Sequence, residues 1–216
     1  MEKKRGGDKK PEGHGTNCDC GECISTEDEY EVDLTDAINV QGVYCLNERI
    51  DGSCKRILKQ QENKSDRTLS LESNEGDPEL LLYIPFNSAV RIKYMTMIGG
   101  EDGTSPSLLK LFVNTEHPDF NLIENGTPQQ ELECIENPEG ELGYTLRPAK
   151  FNNVFSLTVI VSRNYAADFS KIYYIGFTGI RTNKKQLVLI GNYEVKPMID
   201  STKNPTPSTN MDLIFG

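Results

Sequence analysis

Three cysteines and a histidine fall close together near the N-terminus, at His14, Cys18, Cys20 and Cys23, the densest group of soft ligands in the chain. Four such side chains can close a tetrahedron around zinc. Their spacing is unusual for a structural zinc loop, because Cys18-Asp19-Cys20 is tight and no second pair faces the first. Free thiols in a flexible tail are the competing reading, so zinc at these four residues is the one cofactor the sequence suggests. Cys20-Gly21-Glu22-Cys23 also has the Cys-x-x-Cys form of a redox dithiol. Working pairs of that kind lie between a strand and a helix N-terminus, whose N–H groups lower the thiol pKa, and a tail ahead of the first element supplies neither.

The remaining chemistry is sparse. There are two histidines, His14 in the tail and His117 just before Pro118, so a Ser-His-Asp or Cys-His site has few places to form. No Gly-x-Ser-x-Gly elbow, phosphate-binding Gly-Lys-Ser/Thr loop or His-Glu-x-x-His helix is present. Glu131, Glu133, Glu136, Glu139 and Glu141 lie along one polar segment and read as solvated surface rather than as a carboxylate pair across a cleft. Cys45, between Val43-Tyr44 and Leu46, reads as a small core residue. The expectation is a protein that is not an enzyme and has no catalytic residues.

Charge excludes further classes. Lys and Arg number 23 against 33 Asp and Glu, a net charge of −10, and such a chain repels phosphate backbones unless one face is strongly basic. Only Lys3, Lys4, Arg5, Lys9 and Lys10 are clustered, as a short basic end, so no nucleic-acid partner is expected. No stretch reaches the about 20 apolar residues of a membrane helix, and the N-terminus is charged where a signal peptide is apolar. A cytoplasmic and nuclear location follows as an expectation, with the cysteines reduced and the sequons at Asn63 and Asn125 unused. At 36% hydrophobic residues the chain can bury a core, and its length suits one domain, expected to be a monomer.

The elements that must position any site are strands. Residues 1–29 hold one large aliphatic residue, Ile24, and read as a disordered tail, as do residues 197–216 with their Pro, Ser, Thr and Asn. Between them Val90, Ile92, Tyr94, Thr96 and Ile98 alternate with Arg91, Lys93, Met95 and Met97, which predicts a strand with the first set on one face and the second on the other. Further strands are expected at Leu109, Leu111 and Val113, at Phe155, Leu157, Val159 and Val161, over residues 172–177 and 187–193, and over residues 80–84, the last cut by Pro85. Turn-forming residues separate them at 87–88, 99–106, 125–128, 137–140, 164–168 and 182–185. Only residues 32–39 carry a short helical spacing, through Leu34, Ala37 and Ile38. Without crossover helices the sheet must be antiparallel, an all-β sandwich or jelly roll.

Several segments in collinear order carry a resemblance. Cys45-Leu46-Asn47-Glu48, Leu71-Glu72-Ser73, Glu79-Leu80-Leu81-Leu82-Tyr83-Ile84-Pro85-Phe86, Lys110-Leu111-Phe112-Val113-Asn114, Lys150-Phe151-Asn152-Asn153-Val154 and Ile172-Tyr173-Tyr174-Ile175-Gly176-Phe177-Thr178-Gly179 resemble the PITH domain, the C-terminal domain of a proteasome-interacting thioredoxin-like protein. The likeness spans residues 30–196, and the Cys-x-Cys at Cys18 and Cys20 after His14-Gly15 is similar to a stand-alone branch without the thioredoxin domain. The resemblance implies an antiparallel β-sandwich of jelly-roll type, galactose-binding-like in architecture, and docking on the proteasome regulatory particle. Loops at one end of such a sandwich are the expected contact, with Glu101, Asp102 and Gly103 from one and Asn164 and Asp168 from another. The acidic and apolar end Asp212-Leu213-Ile214-Phe215 suits a short docking peptide. Two alternatives stand beside docking: a small-molecule, sugar-like ligand, disfavoured by the lack of Trp to stack on a ring, and a thiol- or metal-responsive role for the N-terminal cysteines.

Overall fold

A computed structural model describes residues 30–182. Among them nine strands pair antiparallel: β1 (Val32–Asp33), β2 (Tyr44–Leu46), β3 (Leu71–Glu72), β4 (Leu80–Gly99), β5 (Pro106–Val113), β6 (Gln130–Glu133), β7 (Gly143–Thr145), β8 (Val154–Asn164) and β9 (Lys171–Arg181). One short helix, α1 (Asn121–Asn125), and several 3-10 turns complete the described residues, and no described helix is long and apolar enough to cross a membrane.

The architecture turns on β4. Its first half pairs with β8 from Leu80↔Val161 to Pro85↔Ser156, and its second half pairs with β9 from Val90↔Arg181 to Gly99↔Ile172. All nine strands are thus hydrogen-bonded in one continuous sheet, and β4 carries it through two layers, β2-β4-β8-β5-β6 and a second in which β9 lies between β4 and the edge strands β1 and β3, with β7 on the far side of β4. Strands that pass between packed sheets in this way bend at bulges, and the register of β4 breaks between Pro85 and Val90. Sequence reading ends a strand at Pro85 and places a turn at Asn87-Ser88; in the fold both lie inside β4. The missing N–H of Pro85 coincides with the break, while its carbonyl still accepts the Asn39 N–H at 2.8 Å.

A second irregularity lies between Ile92 and Tyr94, where Lys93 is the extra residue. It inverts the alternation. Val90 and Ile92 face the core, but so do Met95 and Met97, while Tyr94 is 37% exposed. The strict two-face pattern expected over residues 90–98 therefore holds only up to the bulge. Beyond it Thr96 and Ile98 turn outward, and Ile98 is buried there because Gly140 packs on its Cδ1, with the Lys64 ammonium donating to the Gly140 carbonyl at 3.0 Å.

Between the layers Leu82, Ile84, Leu109, Leu111, Leu157, Val159 and Val161 meet Ile92, Met95, Met97, Ile172, Ile175 and Phe177. Cys45 joins this core, as its apolar neighbours imply. A smaller cluster of Leu81, Phe112 and Ile160 lies on the outer side of the first layer, covered by Phe120 and Leu122 from the α1 segment. The helical spacing at 32–39 resolves into β1 followed by a single 3-10 turn at Thr35–Ala37, held where Asp33 Oδ1 accepts the Thr35 N–H and hydroxyl. The strand expected at 187–193 lies outside the described residues.

The phase inversion in β4 is directly testable. Met95→Ala should cost about 2–5 kcal/mol as a buried large-to-small change. Tyr94→Thr should cost only about 0.5 kcal/mol, in the range of surface changes. Denaturant midpoints of the two variants decide it, since an uninterrupted alternation requires the opposite order.

Candidate functional site

The loop between β4 and β5 is fixed by its own sequence. Asp102 and Gly103 both adopt positive φ, 55° and 80°, and Thr104 N–H closes the turn on the Glu101 carbonyl at 3.1 Å. This is the type I′ geometry that Asp-Gly favours. A Cβ on Gly103 would also lie 2.7 Å from the Tyr165 carbonyl oxygen, so this residue answers both to turn conformation and to the neighbouring loop.

That neighbour, between β8 and β9, is organised by Asn164. Its amide donates to the carbonyls of Ala167 and Phe169, both at 2.9 Å, and its Oδ1 accepts the Ala166 N–H at 3.1 Å. Tyr165 N–H then donates to the Gly103 carbonyl at 3.0 Å, and Lys171 N–H to the Thr104 carbonyl at 2.8 Å, so the two loops form one platform. Glu101, Asp102, Thr104, Ala167, Asp168, Phe169, Lys171 and Tyr173 line a groove of about 550 Å³ there. A smaller cleft of about 110 Å³ on the other side of the Asp-Gly turn is shared by Asp102, Glu136 and Pro138.

Beside the groove runs a row of charges and rings. Glu72 receives Lys171 at 2.8 Å and Arg49 at 3.1 Å; Arg67 meets Glu101 at 2.7 Å and the Pro138 carbonyl at 2.9 Å. The Arg49 guanidinium lies 4.7 Å from the centre of the Phe169 ring, and Lys171 and Arg67 lie 5.2 and 5.8 Å from that of Tyr173. The Lys171 hydrogen bond holds the Glu72 carboxyl below its ordinary value, against partial burial, and the same bond raises the Lys171 ammonium.

Of the expected contact residues, Glu101, Asp102, Gly103, Asn164 and Asp168 thus come together at one end of the sandwich, although Asn164 faces its own loop. His14, Cys18, Cys20, Cys23, Asp212, Leu213, Ile214 and Phe215 lie outside the described residues. Sequence reading missed Arg49, Arg67, Glu72, Phe169, Lys171 and Tyr173. Lys171 and Tyr173 carried a signal, as the head of a strand next to an expected loop; Arg49 and Arg67 sit in a segment without periodicity and reach the site only through the fold.

Among the described residues the histidine and the three thiols are poorly disposed for covalent chemistry. His117 is exposed in the loop after β5, with φ 46°. Burial pushes the Cys54 thiol up to about 12 and the Cys134 thiol up to about 11, and Cys45 is raised well above its ordinary value by burial first and by Cys54 second. Glu48, beside Cys54, is a structural acceptor for the N–H groups of Gly52 and Cys54 and the Ser53 hydroxyl, anchoring the 3-10 turn Ser53–Ile57. The five glutamates from Glu131 to Glu141 are exposed, as expected. Among the described residues no three His, Cys, Asp or Glu side chains gather to hold a metal ion.

The two layers, the shared strand and the loop platform define an antiparallel jelly-roll β-sandwich of the galactose-binding-like class. A solved structure of the CBM32-1 and CBM32-2 domains of Clostridium perfringens ZmpB in complex with GalNAc superposes with a TM-score of 0.51 at 9% identity, over 71% of this chain and 37% of that one, a likeness of fold alone. The chain belongs to the PITH domain family, whose profile matches residues 25–197. It is 34% identical to PITH domain-containing protein 1 of Dictyostelium discoideum over 82% of this chain and 88% of that protein. It is also 34% identical to PITH domain-containing protein ZK353.9 of Caenorhabditis elegans over 90% and 94%, and to PITH domain-containing protein 1 of Homo sapiens over 80% and 82%.

Two measurements follow. In native buffer at pH 8, a thiol-reactive disulfide reagent should leave Cys45, Cys54 and Cys134 unlabelled by peptide mass mapping, and denaturant should expose all three. For the Glu72–Lys171 pair the sign is set by both shifts. Glu72, lowered, stabilises above its ordinary 4.5 and loses this as pH falls through its folded value; Lys171, raised, stabilises below its ordinary 10.5 and loses this as pH rises through its folded value. Glu72→Gln should therefore lower the denaturation midpoint at neutral pH, with the difference from the unsubstituted protein shrinking in acid below 4.5.

Proposed function

We propose that this chain is a non-enzymatic protein-interaction module that docks on the proteasome regulatory particle through the platform of the β4–β5 and β8–β9 loops. The observation that carries the reading is the preorganised platform itself: two loops bonded to each other, presenting exposed Glu101, Asp102 and Asp168 around a groove that no described histidine or cysteine lines. Loops held rigid by their own hydrogen bonds lose little entropy on binding, which suits recognition. The choice of partner rests on the resemblance to the domain of the proteasome-interacting thioredoxin-like protein. In this reading the chain acts as a monomer in cytoplasm and nucleus without nucleic acid, membrane or catalytic cofactor. His14, Cys18, Cys20 and Cys23 form a separate thiol or zinc site that tunes docking, and Asp212, Leu213, Ile214 and Phe215 add a second contact.

A sugar ligand is the weaker reading. Sugar rings stack on aromatic faces, and both rings at the groove, Phe169 and Tyr173, already carry cations of this chain.

Purified regulatory particle on a biosensor surface provides the test. The full-length chain should bind, Asp102→Lys with Asp168→Lys should weaken binding about tenfold or more, and removal of residues 1–29 or 197–216 should each have a smaller effect. Failure of the full-length chain to bind, with a thioredoxin-fused relative binding in parallel, would overturn the reading.

A further inference from the structure

The groove is not the whole of the surface at this end. Ile135 is 58% exposed and Tyr165 41% exposed, and both are fixed in place. The Tyr165 hydroxyl donates to the Cys134 carbonyl, while the Tyr144 hydroxyl accepts the Ile135 N–H at 3.0 Å and donates to the Ile135 carbonyl at 3.3 Å. Two large apolar side chains are therefore displayed to solvent on a backbone clamped by tyrosines. Tyr165 is continuous with the Asp-Gly turn through its bond to Gly103, and the turn is continuous with Glu136 through the smaller cleft.

Asp102 and Asp168 on the adjoining groove, and Glu136 with Asp102 on the smaller cleft, are exposed and form no ion pair among the described residues. Glu101 differs, being paired with Arg67. A second acidic cleft, lined by Asp33, Asp36 and Glu62, differs in that two of its three carboxylates are engaged: Asp33 holds its own turn and the Gln61 N–H, and Asp36 pairs with Arg181. An apolar centre with a rim of uncompensated carboxylates has the opposite sign to a cationic, aliphatic ligand and repels acidic ones.

We propose that this face, Ile135 and Tyr165 rimmed by Asp102, Asp168 and Glu136, takes a short segment of a partner polypeptide in which Leu or Ile anchors are flanked by Lys or Arg. The proposal rests on the docking reading for the biological setting, and it names the chemistry of the segment that docks. The aliphatic anchor covers Ile135 and packs on the Tyr165 ring; the flanking cations lie against Asp102 and Asp168 on one side and Glu136 on the other. Because the receiving backbone is already held by hydrogen bonds, the gain comes from burial and charge without a folding step.

The test uses the isotope-labelled full-length chain and three synthetic peptides of roughly twelve residues. One alternates Lys and Arg with Leu and Ile, a second replaces the basic residues by Glu, and a third replaces the aliphatic residues by Ser. The first should bind, shifting the amide signals of Gly103, Ile135 and Tyr165, and the other two should bind about tenfold more weakly or not at all. Ile135→Ser and the pair Asp102→Lys, Asp168→Lys should each weaken the first peptide about tenfold, with the remaining amide spectrum unchanged as the check on folding. Rising salt should weaken binding as well. Equal binding of all three peptides, shifts centred elsewhere, or unchanged affinity in the variants would overturn the proposal. So would a tenfold or greater tightening on deleting residues 1–29, which would make the chain's own basic end, Lys3 to Lys10, the occupant. Peptide binding without regulatory-particle binding would defeat the docking reading and leave this inference standing; the reverse result would do the opposite.

Discussion

Everything in the described fold depends on one strand being able to serve two layers. β4 runs over Leu80–Gly99, long enough to pair with β8 and then with β9, and it does so only because its ladder is interrupted at Pro85–Val90 and again at Lys93. The first break lets the chain bend from one layer to the other; the second resets which side chains face inward. Without the second, Tyr94 and Thr96 would point into the space that Met95 and Met97 fill. A phenol and a threonine there would leave hydroxyls needing partners in an apolar layer, so the extra residue exchanges a small loss of ladder hydrogen bonding for a core made of thioethers and hydrocarbons.

The site inherits its rigidity from the end of that strand. Gly99 and Gly100 deliver the chain into the Asp-Gly turn beneath Ser105 and Thr104, where a Cβ on either glycine would lie 2.1 Å from a hydroxyl oxygen. The turn is then bonded to the β8–β9 loop, and Lys171 starts β9 against it. One consequence is that the carboxylates on the two loops are held near each other by backbone geometry, independent of any cation. Their mutual repulsion is carried by a scaffold stabilised elsewhere, which is the usual condition of a binding surface.

Residues that carry the family resemblance are mostly not the ones on the platform. Asn47 sits at φ 67° and ties two loops through the Glu79 carbonyl and the Asn74 amide. Glu48 anchors a 3-10 turn, and Asn114 at φ 55° accepts the N–H groups of Phe155 and Ser156. Ser73 and Ser170 join β3 to the start of β9 in the interior, with Ser170 N–H donating to Ser73 Oγ at 2.9 Å. These positions demand particular side chains because they satisfy buried or strained backbone. Such residues fix architecture and specify no ligand, so function must be argued from the exposed end.

From the sequence by itself came the fold class, the strands around Leu109, Leu157 and Ile172, the loops at 99–106 and 164–168, and the burial of Cys45. Each of these is set by short-range spacing: alternation has a period of two, and Asp-Gly and Asn-Tyr-Ala-Ala-Asp punctuate it whatever the rest of the chain does. Only the tertiary structure decided that Pro85 lies within a strand, that the faces of β4 exchange at Lys93, and that Arg49, Arg67 and Glu72 stand beside Lys171 and Tyr173. A bulge leaves no mark in composition, and an ion pair between residues as far apart as Glu72 and Lys171 obeys no local rule. Both are fixed by which strands meet, and that is a property of the whole chain.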